Sequence, residues 1–279
     1  MGYAQIIRVH IQDNFEGNHI YCDICDTSLD LPDPDVIHAT PAASPLVLSW
    51  SEDDKFKGIK SALLTIRMRS SSTLGLQTFL TGDDGRWYVK CYHTSDSTAN
   101  YIFQGWLIME DIEQAFMPNP REIVLQATDN LGVLKDVPLT TKGGQYITTH
   151  TTISTYLAYA LSKTGIETNI NVINNIMEEN TPTEPLYDTA YLWGKTFEED
   201  VRVHINCYDA IELILGEDSR LFQYNGEWWI VRLDEYSSNG MYRHIFDDDG
   251  NLVSSEAINT WNKDIGLLEN IKLINEDAV

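Results

Sequence analysis

Apolar and polar residues alternate in short runs along most of the first half of the chain, which is the two-residue period of a half-buried strand. Ile6-Ile7-Arg8-Val9-His10-Ile11 alternates and is β-rich, Asp13 to Asn18 reads as a turn, and His19 to Ile24 returns as its hairpin partner. Leu46 to Trp50 gives the next strand. In Ala62 to Ser70, Leu64, Ile66 and Met68 alternate with Thr65, Arg67 and Arg69, and the β-branched content supports a strand over a helix. Gly82-Asp83-Asp84-Gly85 separates Leu76–Leu80 from Trp87–Tyr92, and its Asp-Gly step predicts a hairpin between them. Phe103 to Ile108 and Ile123 to Thr128 complete the series, joined by an acidic connector that holds Pro118 and Pro120. The stretch from Pro32 to Pro45, rich in Pro, Asp, Ala and Ser, predicts irregular chain.

The period changes after residue 140. Thr140 to Thr152 is a Gly- and Thr-rich linker. From Ile153 to Gly165 the residues Ile153, Tyr156, Leu157, Ala160 and Leu161 fall on one helical face. Thr151 or Thr152 can cap that helix, and Gly165 can take the left-handed position at its end. Ile166 to Ile173 reads as a strand, and Asn206 caps a second helix, Cys207 to Leu215, ended by Gly216. Leu221–Tyr224, Asn225-Gly226 and Glu227–Arg232 form the clearest hairpin of the chain. Another follows at Tyr242–Val253, around an acidic turn, and Leu267 to Ile274 reads as one more strand.

The pattern therefore predicts an α+β, mainly β protein. A β-barrel or sandwich of seven or eight short strands spans 1–139, a smaller α+β domain with two short helices and hairpins spans 140–240, and a C-terminal hairpin and strand extension spans 241–279.

The stretch from Tyr101 to Leu139 carries a resemblance. An aromatic-Gln-Gly-aromatic strand (Phe103 to Trp106), a Pro-bearing acidic link, and the run Ile123-x-Leu125-x-Ala127-x-Asp129-x-Leu131-Gly132-x-Leu134-Lys135-Asp136 resemble the hub or tail-tip proteins of bacteriophages and prophage-like elements. The closest likeness is to large tail proteins of Bacteroidetes phages. It extends upstream through Leu48-Ser49-Trp50 and Asp53 to Ser61, and downstream to Leu221–Arg232, covering roughly positions 45 to 235. It implies a β-barrel domain and an α+β domain arranged in rings around the tail axis, commonly threefold at the tip, joining tube to tip or fibres. It implies partners that are further copies of the chain and other tail proteins, assembly in a host cytoplasm and a final place in the virion. The rival expectation is a carbohydrate-binding or glycan-cleaving tail module.

Composition narrows these readings. The 19 basic and 42 acidic residues give a formal charge of -23, which argues against a surface that grips phosphates. Under the tail reading, the acids can line a passage that nucleic acid slides through without sticking. No run approaches the ~18 apolar residues of a membrane helix, and the N-terminus has no apolar core of signal-peptide type.

No reactive constellation emerges, and the expectation is a protein that is not an enzyme and needs no cofactor or metal. Cys22-x-x-Cys25 has no second pair for zinc, and the prolines after it break the helix a redox site would want. Asp247-x-Asp249-Gly250 matches only part of a calcium loop. Cys207 with His204 lacks the turn of a nucleophile, and Glu198-Glu199-Asp200 reads as a solvated face. The aromatic residues are the candidates for partner binding: Trp106, Trp228 and Trp229, together with Tyr187, Tyr191, Trp193 and Phe197 on the long segment between the helices. Trp228 and Trp229 point to opposite sides of their strand, one toward the core and the other toward a neighbouring element or partner.

Overall fold

The computed structural model describes residues 3–12, 19–28, 31–32, 34–50, 58–71, 74–80, 85–95, 98–114, 120–174, 186–193, 198–200, 203–237 and 241–258. The expected turn at Asp13–Asn18, the Gly82-Asp83-Asp84 step and the strand at Leu267–Ile274 lie outside them. The chain is mainly β. It divides into two compact units, one formed by 3–50 and 62–129, the other by 58–61 and 130–258, within the described residues.

The first unit is a closed barrel. Its strands are β1 (Gln5–Gln12), β2 (His19–Asp26), β3 (Asp35–Trp50), β5 (Ala62–Arg69), β6 (Trp87–Ser95), β7 (Thr98–Leu107) and β9 (Glu122–Thr128); β4 (Ile59–Lys60) belongs to the second unit, and β8 (Glu113–Gln114) is a short flap on β9. Neighbours run in the order β5, β3, β1, β2, β6, β7, β9, and β9 pairs back onto β5, so the sheet has no open edge there. Closure follows from the alternation in the sequence: Ile7, Val9, Cys22, Ile24, Leu64, Ile66, Met68, Val89, Cys91, Phe103, Ile123, Leu125 and Ala127 all point inward and are buried together.

Two expectations give way here. The Pro32–Pro45 stretch is not irregular, because β3 runs through it. Asp35 to Ala39 pair in parallel with β1, and from Thr40 onward the strand pairs with β5. The irregularity is confined to a bulge between Pro41 and Leu46, where Ser44 takes φ 46°. A bulge is where a strand tolerates proline, since the ladder is already interrupted. The second concerns Leu76–Leu80, which is not the hairpin partner of β6. Leu76–Thr78 is a 3-10 turn that tucks Phe79 against Trp87, at 5.4 Å between rings, while β6 pairs with β2 and β7. Apolar content alone did not separate a folded-in plug from a strand.

The second unit is an α+β layer. Its sheet runs β18 (Leu252–Ile258), β17 (Met241–Phe246), β11 (Ile170–Ile173), β16 (Glu227–Arg232), β15 (Ser219–Tyr224), β4. Small pairs add β10 (His150–Thr152) with β12 (Tyr191–Trp193), and β13 (Glu198–Asp200) with β14 (Val203–His204). The helices are α1 (Ile153–Ser162), α2 (Leu186–Thr189) and α3 (Cys207–Leu215). Thr152 caps α1 by accepting from Thr155 N, Asn206 caps α3 by accepting from Asp209 N at 2.7 Å, and Gly165 takes φ 74° after α1. Asn225 and Gly226, at φ 50° and 70°, form the tight turn of the β15–β16 hairpin.

The boundaries differ from those read in the sequence. The chain changes unit after Asp129 rather than near residue 139, and 58–61 have joined the second unit through β4. The hairpin placed in an extension from 241 is an integral part of the second sheet, because β17 pairs with β11. Spacing alone did not show which unit would receive a strand.

Candidate partner-binding surface

The outer wall of the barrel across β1, β2, β6 and β7 carries a cluster of polar and aromatic side chains. Alternation that sends Cys22 and Ile24 inward sends Tyr21 and Asp23 outward, and the β2–β6 register sets Tyr21 opposite Tyr92 and Asp23 opposite Lys90. Arg8 grips Asp23 with two bonds, Nε to Oδ1 and Nη2 to Oδ2, each 2.7 Å. Tyr92 donates to the same carboxylate at 3.0 Å. The hydrogen bonds to Asp23 hold the Arg8 guanidinium more firmly protonated, and burial next to Asp23 pushes the Tyr92 phenol up.

Around this ion pair the rings form a row. His10 stacks on Tyr21 at 4.6 Å and 9°, Tyr21 stacks on Tyr92 at 5.6 Å, and Tyr101 meets Tyr92 edge-on at 6.1 Å. His10 Nε2 lies 2.9 Å from His19 Nδ1, and burial, then His19, His38 and Arg8, lower the His10 pKa. Trp106 is half-buried on the same wall, with its ring edge-on to Tyr88 at 4.8 Å; Tyr88 donates to Gln104 Oε1 at 3.0 Å. Such a surface can stack planar groups and trade hydrogen bonds. Its carboxylate is already committed to a guanidinium and a phenol.

The other aromatic candidates belong to the second unit. Tyr187 is 3% exposed, Trp228 1% and Trp229 4%, so these three are core residues of the folded chain and not surface anchors. Trp228 fills the space beside Ala158 and Leu161 of α1. Trp229, on the opposite side of the strand, packs with Ile173, Val231, Phe222 and Tyr224, donates Nε1 to Tyr224 O at 3.0 Å, and lies under Arg243. Both sides of β16 are therefore covered, where the sequence reading assigned only one to the core. Tyr191 is 64% exposed on β12. The backbone of Trp193 pairs with His150, while its side chain and the whole of Phe197 lie outside the described residues.

No protein-family model matches the chain, and no curated protein matches it. Several solved structures are similar to it. Among them is the prophage MuSo2 43 kDa tail protein from Shewanella oneidensis, with a TM-score of 0.33 and 13% sequence identity over 70% of this chain and 53% of that one. The chain thus spans about half the length of that protein.

The groups that sequence reading weighed for chemistry are tied into structure. Cys207 is buried, its thiol approaches Pro138 O at 3.6 Å, and burial pushes it up to about 11, which leaves it protonated at neutral pH. Burial next to Asp23 likewise pushes Cys25 up to about 12. The Asp247 carboxylate accepts from Asp249 N, Asn251 N and Asn251 Nδ2, clasping its own turn, while Lys142 bridges Asp248 and Asp249 at 2.8 and 2.6 Å. Among the described residues, no group of three His, Cys, Asp or Glu side chains is placed to hold a metal. The side chains of His204 and of Glu198, Glu199 and Asp200 lie outside the described residues. A small cleft beside α1 has about 10 Å³, room for one water at most. An open groove of about 560 Å³ is lined by Glu113, Gln114, Glu122 and Val124, with no aromatic side chain.

Proposed function

We propose that this chain is a structural subunit of a bacteriophage tail, a hub or baseplate component that forms a ring around the tail axis and joins the tube to the tip or fibres. One observation carries the reading. A closed seven-stranded barrel is followed by an α+β unit, which is the pair of domains implied by the tail-hub resemblance across roughly positions 45 to 235. In this reading its work is binding, it needs no cofactor, and its partners are copies of itself and other tail proteins. It is assembled in the host cytoplasm and resides in the virion. Exposed Tyr191 and half-buried Trp106 are the candidate anchors that stand at the surface. The surplus of acids behind the charge of -23 suits the wall of a passage that does not hold nucleic acid.

Mass photometry of the purified chain, together with immunolabelling of purified particles, tests this. The expected result is a ring of three copies of the 31.7 kDa chain, and label at the tail tip. A strict monomer at all concentrations and no label on virions would overturn it. The rival reading, a glycan-binding module, draws on the aromatic row at His10, Tyr21 and Tyr92. It expects hits on an array of host glycans that vanish in Tyr21→Ala.

A further inference from the structure

Cys22 on β2 and Cys91 on β6 are direct register partners across an antiparallel pair. Both side chains point into the barrel core and are buried, and both are free thiols. Residues directly opposite on antiparallel strands have Cα atoms about 4.5–5.5 Å apart, inside the span of about 4.4–6.8 Å that a disulfide bridges. The two thiols are already in hydrogen-bond contact, and that bond, with burial, pushes the Cys22 thiol well above its ordinary range. Strand alternation sends Cys25 to the other side of the wall, beside Asp23 and Lys90. Cys207 belongs to the second unit. Each of the two core thiols thus faces one cysteine.

We propose that Cys22 and Cys91 are a latent cross-strand disulfide, closed by exchange with a small-molecule disulfide such as oxidised glutathione whenever the barrel folds or opens in its presence. One cysteine, as thiolate, attacks a glutathione sulfur, breaks its S–S bond and releases one glutathione thiolate. The second cysteine then attacks the mixed disulfide, forms the Cys22–Cys91 bond and releases the second glutathione. The protein loses two protons and two electrons, and one glutathione disulfide becomes two thiols. In the closed barrel both thiols are buried out of reach of this attack, so the reduced form persists there. Once formed, the bond ties β2 to β6 and encloses β3, β4 and β5 in one covalent loop. This inference is independent of the tail reading.

The test is to refold the full chain from urea with reduced or oxidised glutathione, then read intact mass, alkylation and peptide maps. In the oxidised buffer, the alkylatable thiols are expected to fall from the four free cysteines to two. The mass is expected to drop by about 2 Da, a link to join Cys22 to Cys91 in a digest cut before aspartates, where Asp23 parts Cys22 from Cys25, and the barrel's thermal transition to rise by about 10 °C. Dithiothreitol should reverse the shift. Cys91→Ala should abolish link and shift, and Cys25→Ala should keep both. Four alkylatable thiols after oxidative refolding, or a link through Cys25 or Cys207, would overturn the proposal. Should Cys91→Ala not fold, the peptide map of Cys25→Ala decides alone.

Discussion

Gly105 lies where β7 meets β9, and a Cβ there would stand 2.3 Å from Thr128 O and 2.6 Å from Phe103 Cζ. The glycine of the aromatic-Gln-Gly-aromatic strand is thus a packing requirement, since backbone and a buried ring both occupy the space. Gly105→Ala is expected to cost about 3 kcal/mol, read by urea unfolding. Asp26 gives a second residue-scale prediction. Burial opposes its ionisation, but two bonds from Arg86 at 2.9 and 2.6 Å and the Ser28 N–H override it and hold the carboxyl at about 2, below its ordinary 3.8. A carboxyl depressed on folding stabilises the fold above its unfolded value, and that contribution is lost as pH falls through the folded one. Asp26→Asn is therefore expected to cost about 2 kcal/mol at pH 7. The gap to the parent should shrink on acidification from about pH 4 to pH 2, measured by denaturant titration at both ends.

Among the elements, α3 depends on a cap and β16 on a pair of rings. Asn206→Ala removes the bond to Asp209 N and is expected to cost about 1 kcal/mol of the second unit's stability. Trp229→Ala should cost roughly 3–5 kcal/mol, visible as an earlier thermal transition, because a buried ring and its bond to Tyr224 O go together. Most elements were legible in the sequence, since alternation in Ala62–Arg69 and the helical face of Ile153–Ser162 report burial directly. Pairing was not. The closure of β9 onto β5 and the parallel pairing of β1 with β3 join distant segments, and periodicity names a face without naming its neighbour. The candidate surface was hidden for the same reason. Tyr21 and Tyr92 become one stack only once β2 is laid beside β6, and Trp229 becomes core only once Phe222, Tyr224 and Arg243 close over it.

At the scale of the whole molecule, a charge of -23 makes copies of the chain repel. The screening length falls from about 30 Å at 0.01 M salt to about 8 Å at 0.15 M. Under the proposed tail function, the ring fraction seen by mass photometry should rise with salt over that range. Tyr191→Ala should lower it at every salt concentration without shifting the thermal transition, because that ring is exposed. A final consequence follows from β4. Ile59 and Lys60 pair in parallel with Leu221 and Phe222, although they lie between two barrel strands in the chain. The second unit is thus encoded in two separate pieces of the gene. A crossover that swapped everything after codon 129 would leave the border strand of its sheet behind, exposing the bare backbone of Leu221 and Phe222 as a sticky rim. Inheritance should favour exchange of the two units as one block, and a library of chimeras crossed at 129 should yield mostly insoluble protein unless residues 58–61 travel with the graft.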